Sequence, residues 1–182
     1  MLHLEDSELL SMFSDENSQN YAFNLIVKKY QQKIYWHIRR MVIDHDDAND
    51  VTQNTFIKAW KGLETFKQEA QLYTWLYRIA TNESINFLNK KRKVLLLPLI
   101  DVERELSNKL EADAYFSGNV IQKKLQKALL QLPEKQRIVF NLKYFEEMKY
   151  EDMSTILNTS VGALKASYHI AVKKIEEYLK TH

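Results

Sequence analysis

Cysteine is absent from this 182-residue chain, and glycine and proline number only three and two. The first absence rules out disulfides and thiolate zinc sites and makes the reducing cytoplasm the natural compartment. The second leaves few turn formers while Leu, Lys, Glu, Gln and Ala are frequent, a balance that favours an all-α fold. No segment alternates in the manner of a strand. Long apolar runs are missing too, so no stretch is long enough to span a bilayer and no membrane insertion is expected. The opening MLHLEDSELLSMF lacks the basic stretch and apolar run of a signal peptide. There is no glycine-rich phosphate loop and no nucleophile elbow, and the five histidines lie far apart, so neither an enzyme nor a cofactor is expected.

What is present is locally polarised charge. The net charge of +2 is too small to argue for a nucleic-acid partner by itself. Its distribution says more: bases gather at Lys90, Lys91, Arg92 and Lys93 and at Lys165, Lys173 and Lys174, and acids gather at 44–50 and 146–152. The length suits one ordinary domain or two small ones.

Residues 5–13 read as a short amphipathic helix capped by Asp6 or Ser7, with Leu9, Leu10 and Phe13 inward. From 20 to 43, Phe23, Ile26, Val27, Tyr30, Ile34, Ile38, Met41 and Val42 recur at three- and four-residue steps, one buried stripe of a long helix. Lys28, Lys29, Lys33, Arg39 and Arg40 fall on its other face. The acidic cluster after it has the wrong spacing for calcium, with Ala48 and Asn49 where a ligand and a glycine belong. It reads instead as a helix start capped by Asp46 or Asp47, suited to the helix dipole. That helix runs to about Leu63 and leaves Asp50, Gln53, Asn54, Ile57, Lys58 and Lys61 outside. After a short polar loop, Leu72, Leu76, Ile79, Ala80 and Phe87 form an inner stripe, and Arg78, Asn82, Asn86, Asn89 and Lys93 an outer one.

Residues 46–93 organise the chain. Phe56, Trp60, Phe66, Tyr73, Trp75 and Tyr77 are more aromatics than one helix pair needs for its core, and the basic run follows directly. Aromatic platforms beside cations suit unpaired nucleic acid. Amides on the outer face beside Arg78 and Lys93 can donate to and accept from base edges.

Residues 94–119 break the pattern at Pro98 and at Ser117-Gly-Asn and read as a linker, its apolar start docking on a neighbour. From 120 the helical stripe resumes with Ile121, Leu125, Ala128, Leu129 and Leu132, stopped by Pro133. Residues 150–179 then read as helix, tight turn, helix, with Ser160 as cap and Gly162 letting two helices approach closely.

Two stretches together resemble one family, the extracytoplasmic function (group IV) sigma factors of bacterial RNA polymerase. DVTQNTFIKAW at 50–60 and YTWLYRIATN at 73–82 look like conserved region 2. LLQLPEKQRIVF at 129–140, YEDM at 150–153 and SVGALK at 160–165 look like region 4. The resemblance implies two small helical domains, a region 2 bundle over 1–93 and a region 4 helix-turn-helix over 120–182, joined by a flexible linker over 94–119.

It also implies roles. Asp50, Gln53, Asn54, Ile57 and Lys58 would dock on the β′ clamp helices of core RNA polymerase. Phe66 with Lys67, Gln68, Glu69, Ala70 and Gln71, and Asn82 beneath, would hold a base flipped from the single-stranded non-template −10 element of promoter DNA. Tyr73, Trp75 and Arg78 would support that pocket, and Lys90, Lys91, Arg92 and Lys93 would hold phosphate. Val139, Phe140 and Leu142, with Tyr144, would receive the β flap. Lys165, Ser167 and His169, with Ser160 and Ala163, would enter the −35 major groove while Arg137 anchors phosphate. An anti-sigma factor or another recruiting protein would be a further partner. The loop Gln68-Glu-Ala-Gln differs from the Gly-Glu-Ser-Ser usual in relatives. Ala166, Ser167 and Ile170 stand where Ser and Arg are common, which implies fewer phosphate contacts. From the residues alone two other readings stay open: a stand-alone helix-turn-helix regulator independent of polymerase, and a helical adaptor.

Overall fold

The structure, a computed structural model, describes residues 4–94, 99–114 and 119–182, and of these the side chains of all but 99–103. Nine helices form the regular structure of the described residues: α1 Asp6–Phe13, α2 Gln19–Val42, α3 His45–Leu63, α4 Leu72–Val94, α5 Leu99–Ala112, α6 Val120–Leu130, α7 Glu134–Tyr144, α8 Tyr150–Leu157 and α9 Val161–Thr181. The fold is all-α, as the scarcity of turn formers and the lack of alternation require.

α2 is the spine of the N-terminal half, packed against α1, α3 and α4. Its stripe Ile26, Tyr30, Ile34, Ile38, Met41 and Val42 is buried as the periodicity predicts. Each such side chain contributes about 1.5–3 kcal/mol relative to exposure. Two polar residues join it. His37 is fully buried with Nε2 2.9 Å from Thr81 Oγ1, and Arg39, expected on the outer face, is 2 % exposed and ion-paired with Asp113.

The helix starts differ from expectation by a residue or two. Glu5 caps α1, its N–H donating to the Glu8 carboxylate at 2.7 Å. Asp6 instead accepts from the Tyr30 hydroxyl and Lys29. Asp44, not Asp46 or Asp47, caps α3 and accepts from both of their N–H groups at 3.0 Å. Ile43, at φ 67, turns the chain so sharply that extended backbone begins directly at Asp44. Asp47 is thereby freed to pair with Lys91 and Lys109.

Residues expected to form a linker carry α5. Leu106 and Leu110, one turn apart, are 3 % and 0 % exposed and belong to the N-terminal core. Lys109 reaches Asp44 at 3.0 Å. Of the apolar start expected to dock, Val94 is 71 % exposed, and 95–98 and the side chains of 99–100 lie outside the described residues.

α6–α9 form the C-terminal half. Pro133 stands immediately before α7, and α8 ends at Asn158, whose left-handed backbone (φ 49) makes the turn into α9. Ser160 caps α9, accepting from Ala163 N–H at 3.3 Å. Gly162 does not admit a neighbouring helix: nothing lies within 4 Å of where its Cβ would be. Ala128, Leu129, Leu132, Phe140, Ala171 and Ile175 make a small core of their own. Ile138, Val139, Leu142, Met148, Met153 and Ile156 instead join the core of the N-terminal half. α8 lies along α4, and α7 touches α2.

Candidate nucleic-acid interface

The loop between α3 and α4 is built around two rings. Phe66 and Trp75 stand with centroids 4.9 Å apart at 40°. Trp75 can lie so close to α3 only because position 62 is glycine, where a Cβ would stand 2.8 Å from the indole. Lys67, Gln68, Glu69 and Gln71 are exposed, with Gln68 at φ 54. Phe66, Lys67, Glu69, Ala70, Trp75 and Arg78 line a cavity of about 440 Å³ that Thr155 closes from the C-terminal half. Arg78 and Asn82, one turn apart on α4, are both exposed. Tyr73 is half-buried against Tyr77, and its hydroxyl pKa is pushed up to about 12 by burial and then by Asp152 and Glu146. In the basic run Lys90 and Lys93 are exposed, but Lys91 is paired with Asp47 and Glu105, and Arg92 donates to Asn89.

On the far side of α3 lies a groove of about 720 Å³. Asp50, Gln53 and Ile57 line it from α3, and Asn20, Phe23, Asn24, Val27 and Gln31 from α2. Its floor is fixed by Trp60, edge-on to Phe13 at 5.3 Å and to Phe23 at 4.9 Å. Ile57 stays 47 % exposed. Asn54 and Lys58 are exposed outside the groove, Lys58 being paired with Glu83 of α4. The α2 amides were missed by sequence reasoning; the signal was there, in polar residues standing between the buried positions of α2.

The C-terminal half departs further from expectation. Arg137, Val139, Phe140 and Leu142 are 5 %, 4 %, 4 % and 0 % exposed, so none presents a surface for phosphate or for a flap. Over 137–142, α7 is wedged between two cores, which is why a stripe that looks amphipathic is buried on both sides. Tyr144, 53 % exposed, carries the aromatic stack outward, 5.0 Å from Phe140, which lies 5.7 Å from Tyr168. On α9, Ala163, Lys165 and His169 are exposed, Ser167 is half-buried, and Ser160 is engaged as the cap.

Contacts between the halves are made on α2, through Arg40, and on α4, through Thr74 and Tyr77. Glu146 accepts from Arg40 at 2.9 Å and from the Tyr77 hydroxyl at 2.5 Å. Asp152 accepts from Thr74 Oγ1 at 3.2 Å, Gln126 donates to the Arg40 carbonyl at 3.2 Å, and the Arg40 guanidinium lies 4.2 Å over the Phe145 ring. Burial, and then Glu146, hold the Tyr77 hydroxyl far above its usual pKa, so it stays a donor. Among the described residues no cluster of His, Asp and Glu is arranged to hold a metal ion, and no helix is long and apolar enough to cross a membrane.

This arrangement of an aromatic-lined loop, a groove behind it and a helix-turn-helix has counterparts. Residues 26–94 match the family profile for sigma-70 region 2, and 122–175 that for sigma-70 region 4. The RNA polymerase sigma-H factor of Pseudomonas aeruginosa is 34 % identical over 87 % of this chain and 86 % of its own. The ECF RNA polymerase sigma factor SigW of Bacillus subtilis is 31 % identical over 87 % and 89 %. The chain therefore belongs to the extracytoplasmic function sigma factors of the sigma-70 class. Among solved structures, CnrH in complex with the cytosolic domain of CnrY aligns with a TM-score of 0.70 over 97 % of both chains at 23 % identity. RpoE in complex with the anti-sigma factor NepR from Bartonella quintana aligns at 0.68 over 87 % and 96 % at 22 % identity, a likeness of fold.

Proposed function

We propose that this sigma factor divides its work between two faces of one helical pair. The α2–α3 groove receives the β′ clamp helices of core polymerase, and the loop 66–71 with Trp75, Arg78 and Asn82 captures a base of the non-template −10 strand. One observation carries this reading: α3 presents Asp50, Gln53 and Ile57 to a groove on one side while Gly62, at its C-terminal end, seats Trp75 against Phe66 on the other. Unstacking a base costs a few kcal/mol, and stacking returns about 1–3 kcal/mol per base. Lys90 and Lys93 hold phosphate, and the exposed face of α9 with Lys165 and His169 meets the −35 duplex. The protein acts by binding and strand capture, without catalysis of its own, alongside polymerase in the cytoplasm, and an anti-sigma protein is the expected regulator.

Mapping transcript 5′ ends after mixing the chain with core polymerase tests the assignment. Trp75→Ala and Asn82→Ala are expected to abolish initiation while leaving the polymerase complex nearly intact. Parallel loss of both activities would mean that these residues serve folding rather than strand capture.

A further inference from the structure

α9 contains no Arg, Asn or Gln. Those side chains read guanine and adenine through paired hydrogen bonds in the major groove, so a helix without them must discriminate by other means. We infer that Ile170, with Ala166 beside it, reads thymine: the two side chains pack on C5-methyl groups at the major-groove edge and make thymine the preferred base where they meet the duplex. This deepens the assignment of α9 to the −35 duplex and rests on it.

Burial fixes which way the helix faces. Leu164, Ala171 and Ile175 are buried, and Tyr168 is half-buried against both cores. At about 3.6 residues per turn, Ala166 then points directly outward, with Lys165 and His169 on one flank and Ala163 and Ile170 on the other. Lys165 is drawn away from the centre of that face. Its Nζ stands 5.7 Å from the centre of the Tyr150 ring on α8, a ring that also carries Lys143 Nζ at 4.8 Å. In this motif the first helix crosses the DNA backbone while the start of the second meets base edges, so a cation held beside α8 meets phosphate. The apolar flank is left for the bases. Ile170 is 44 % exposed, and nothing lies within 4 Å of where a Gly162 Cβ would stand, so the first turns of α9 can come close to a duplex.

The chemistry of that flank selects one base. Only thymine carries a methyl group at the major-groove edge, where cytosine presents an amino donor that an isoleucine would leave unpaired. Burying one methyl is worth about fourfold in affinity. Such a contact carries no charge, so its share of binding does not fall with salt as a phosphate contact does.

Deoxyuridine differs from thymidine only by that methyl and gives the test. The full chain is loaded on core polymerase, and binding is measured to duplexes of a promoter found by transcript mapping, with each −35 thymine replaced in turn by deoxyuridine. At one position or more the replacement is expected to lower affinity about fourfold, by the same factor at low and high salt. Ile170→Ala, checked for a wild-type circular dichroism spectrum, is expected to abolish the sensitivity at one of those positions. A −35 element without thymine, or uracil tolerated at every position, would overturn the inference. So would an Ile170→Ala variant that weakens binding to thymine and uracil duplexes alike, which would show that Ile170 meets a protein instead. If exchanging the whole −35 element leaves affinity unchanged, the assignment of α9 to that duplex falls; if the exchange matters and the methyls do not, only the thymine reading falls.

Discussion

At Gly62 a single hydrogen decides where an indole lies. A Cβ there would meet Trp75 at 2.8 and 3.2 Å, so Gly62→Ala must push the ring away from Phe66. Overpacking of this kind costs about 1–3 kcal/mol. The expected outcome is an altered near-ultraviolet circular dichroism spectrum and at least a tenfold loss of initiation with the polymerase complex preserved; an unchanged spectrum with full activity would show that the ring position is immaterial. His37 gives a second residue-scale prediction. Complete burial, and then Arg40, lower its pKa from 6.5 to about 3, so it is neutral when folded. Between those values the unfolded chain binds the extra proton, and stability is therefore full above pH 6.5 and lost as pH falls toward 3. From pH 7 to 5 this amounts to about 2 kcal/mol. Denaturant titrations of wild type and His37→Gln are expected to differ by that much in pH dependence, and parallel curves would refute it. Neither residue announced itself in the sequence, because a glycine near a helix end usually marks the end, and a lone histidine between apolar neighbours, or an arginine beside a second one as Arg39 is, gives no sign of which way it points. Tyr77 was read as one aromatic among six, and its bond to Glu146, 69 residues away, is a tertiary fact that no local pattern carries.

At the level of elements, the long stripes were legible and the short interrupted one was not. α2, α3 and α4 each bury a stripe that runs over many turns, and period alone sets them out. α5 escaped because only Leu106 and Leu110 are its described buried anchors, set among acids and close to Pro98 and Gly118. Its docking is testable. Leu110→Ala is expected to cost about 2–5 kcal/mol, as a large-to-small change in a core does. A chain in which 94–119 were only a tether would unfold at the same denaturant concentration with or without Leu110. The misreading of α7 has the opposite cause. Its sequence marks one apolar stripe, but the helix sits between two cores, so Val139 and Leu142 face one and Phe140 the other. Sequence could assign those residues to an interior; it could not tell interior from docking surface.

At the level of the whole molecule, the two halves are joined by Glu146 and Asp152 and by a core that both share. A ligand shifts a closed–open balance only by its preference between the states, and turning 99 % closed into 99 % open takes about 5.5 kcal/mol. Lys61 and Lys180, exposed and one in each half, are suitable positions for paired cysteine labels in a chain that has none of its own. Energy transfer between them is expected to be high in the free factor, where Glu146 and Asp152 bond to α2 and α4, and to fall where polymerase and promoter draw the halves apart. Higher salt is expected to weaken Arg40–Glu146 and lower the transfer of the free factor modestly, since that pair is partly exposed. Transfer that stays high in the promoter complex would mean that the halves remain packed while transcription starts.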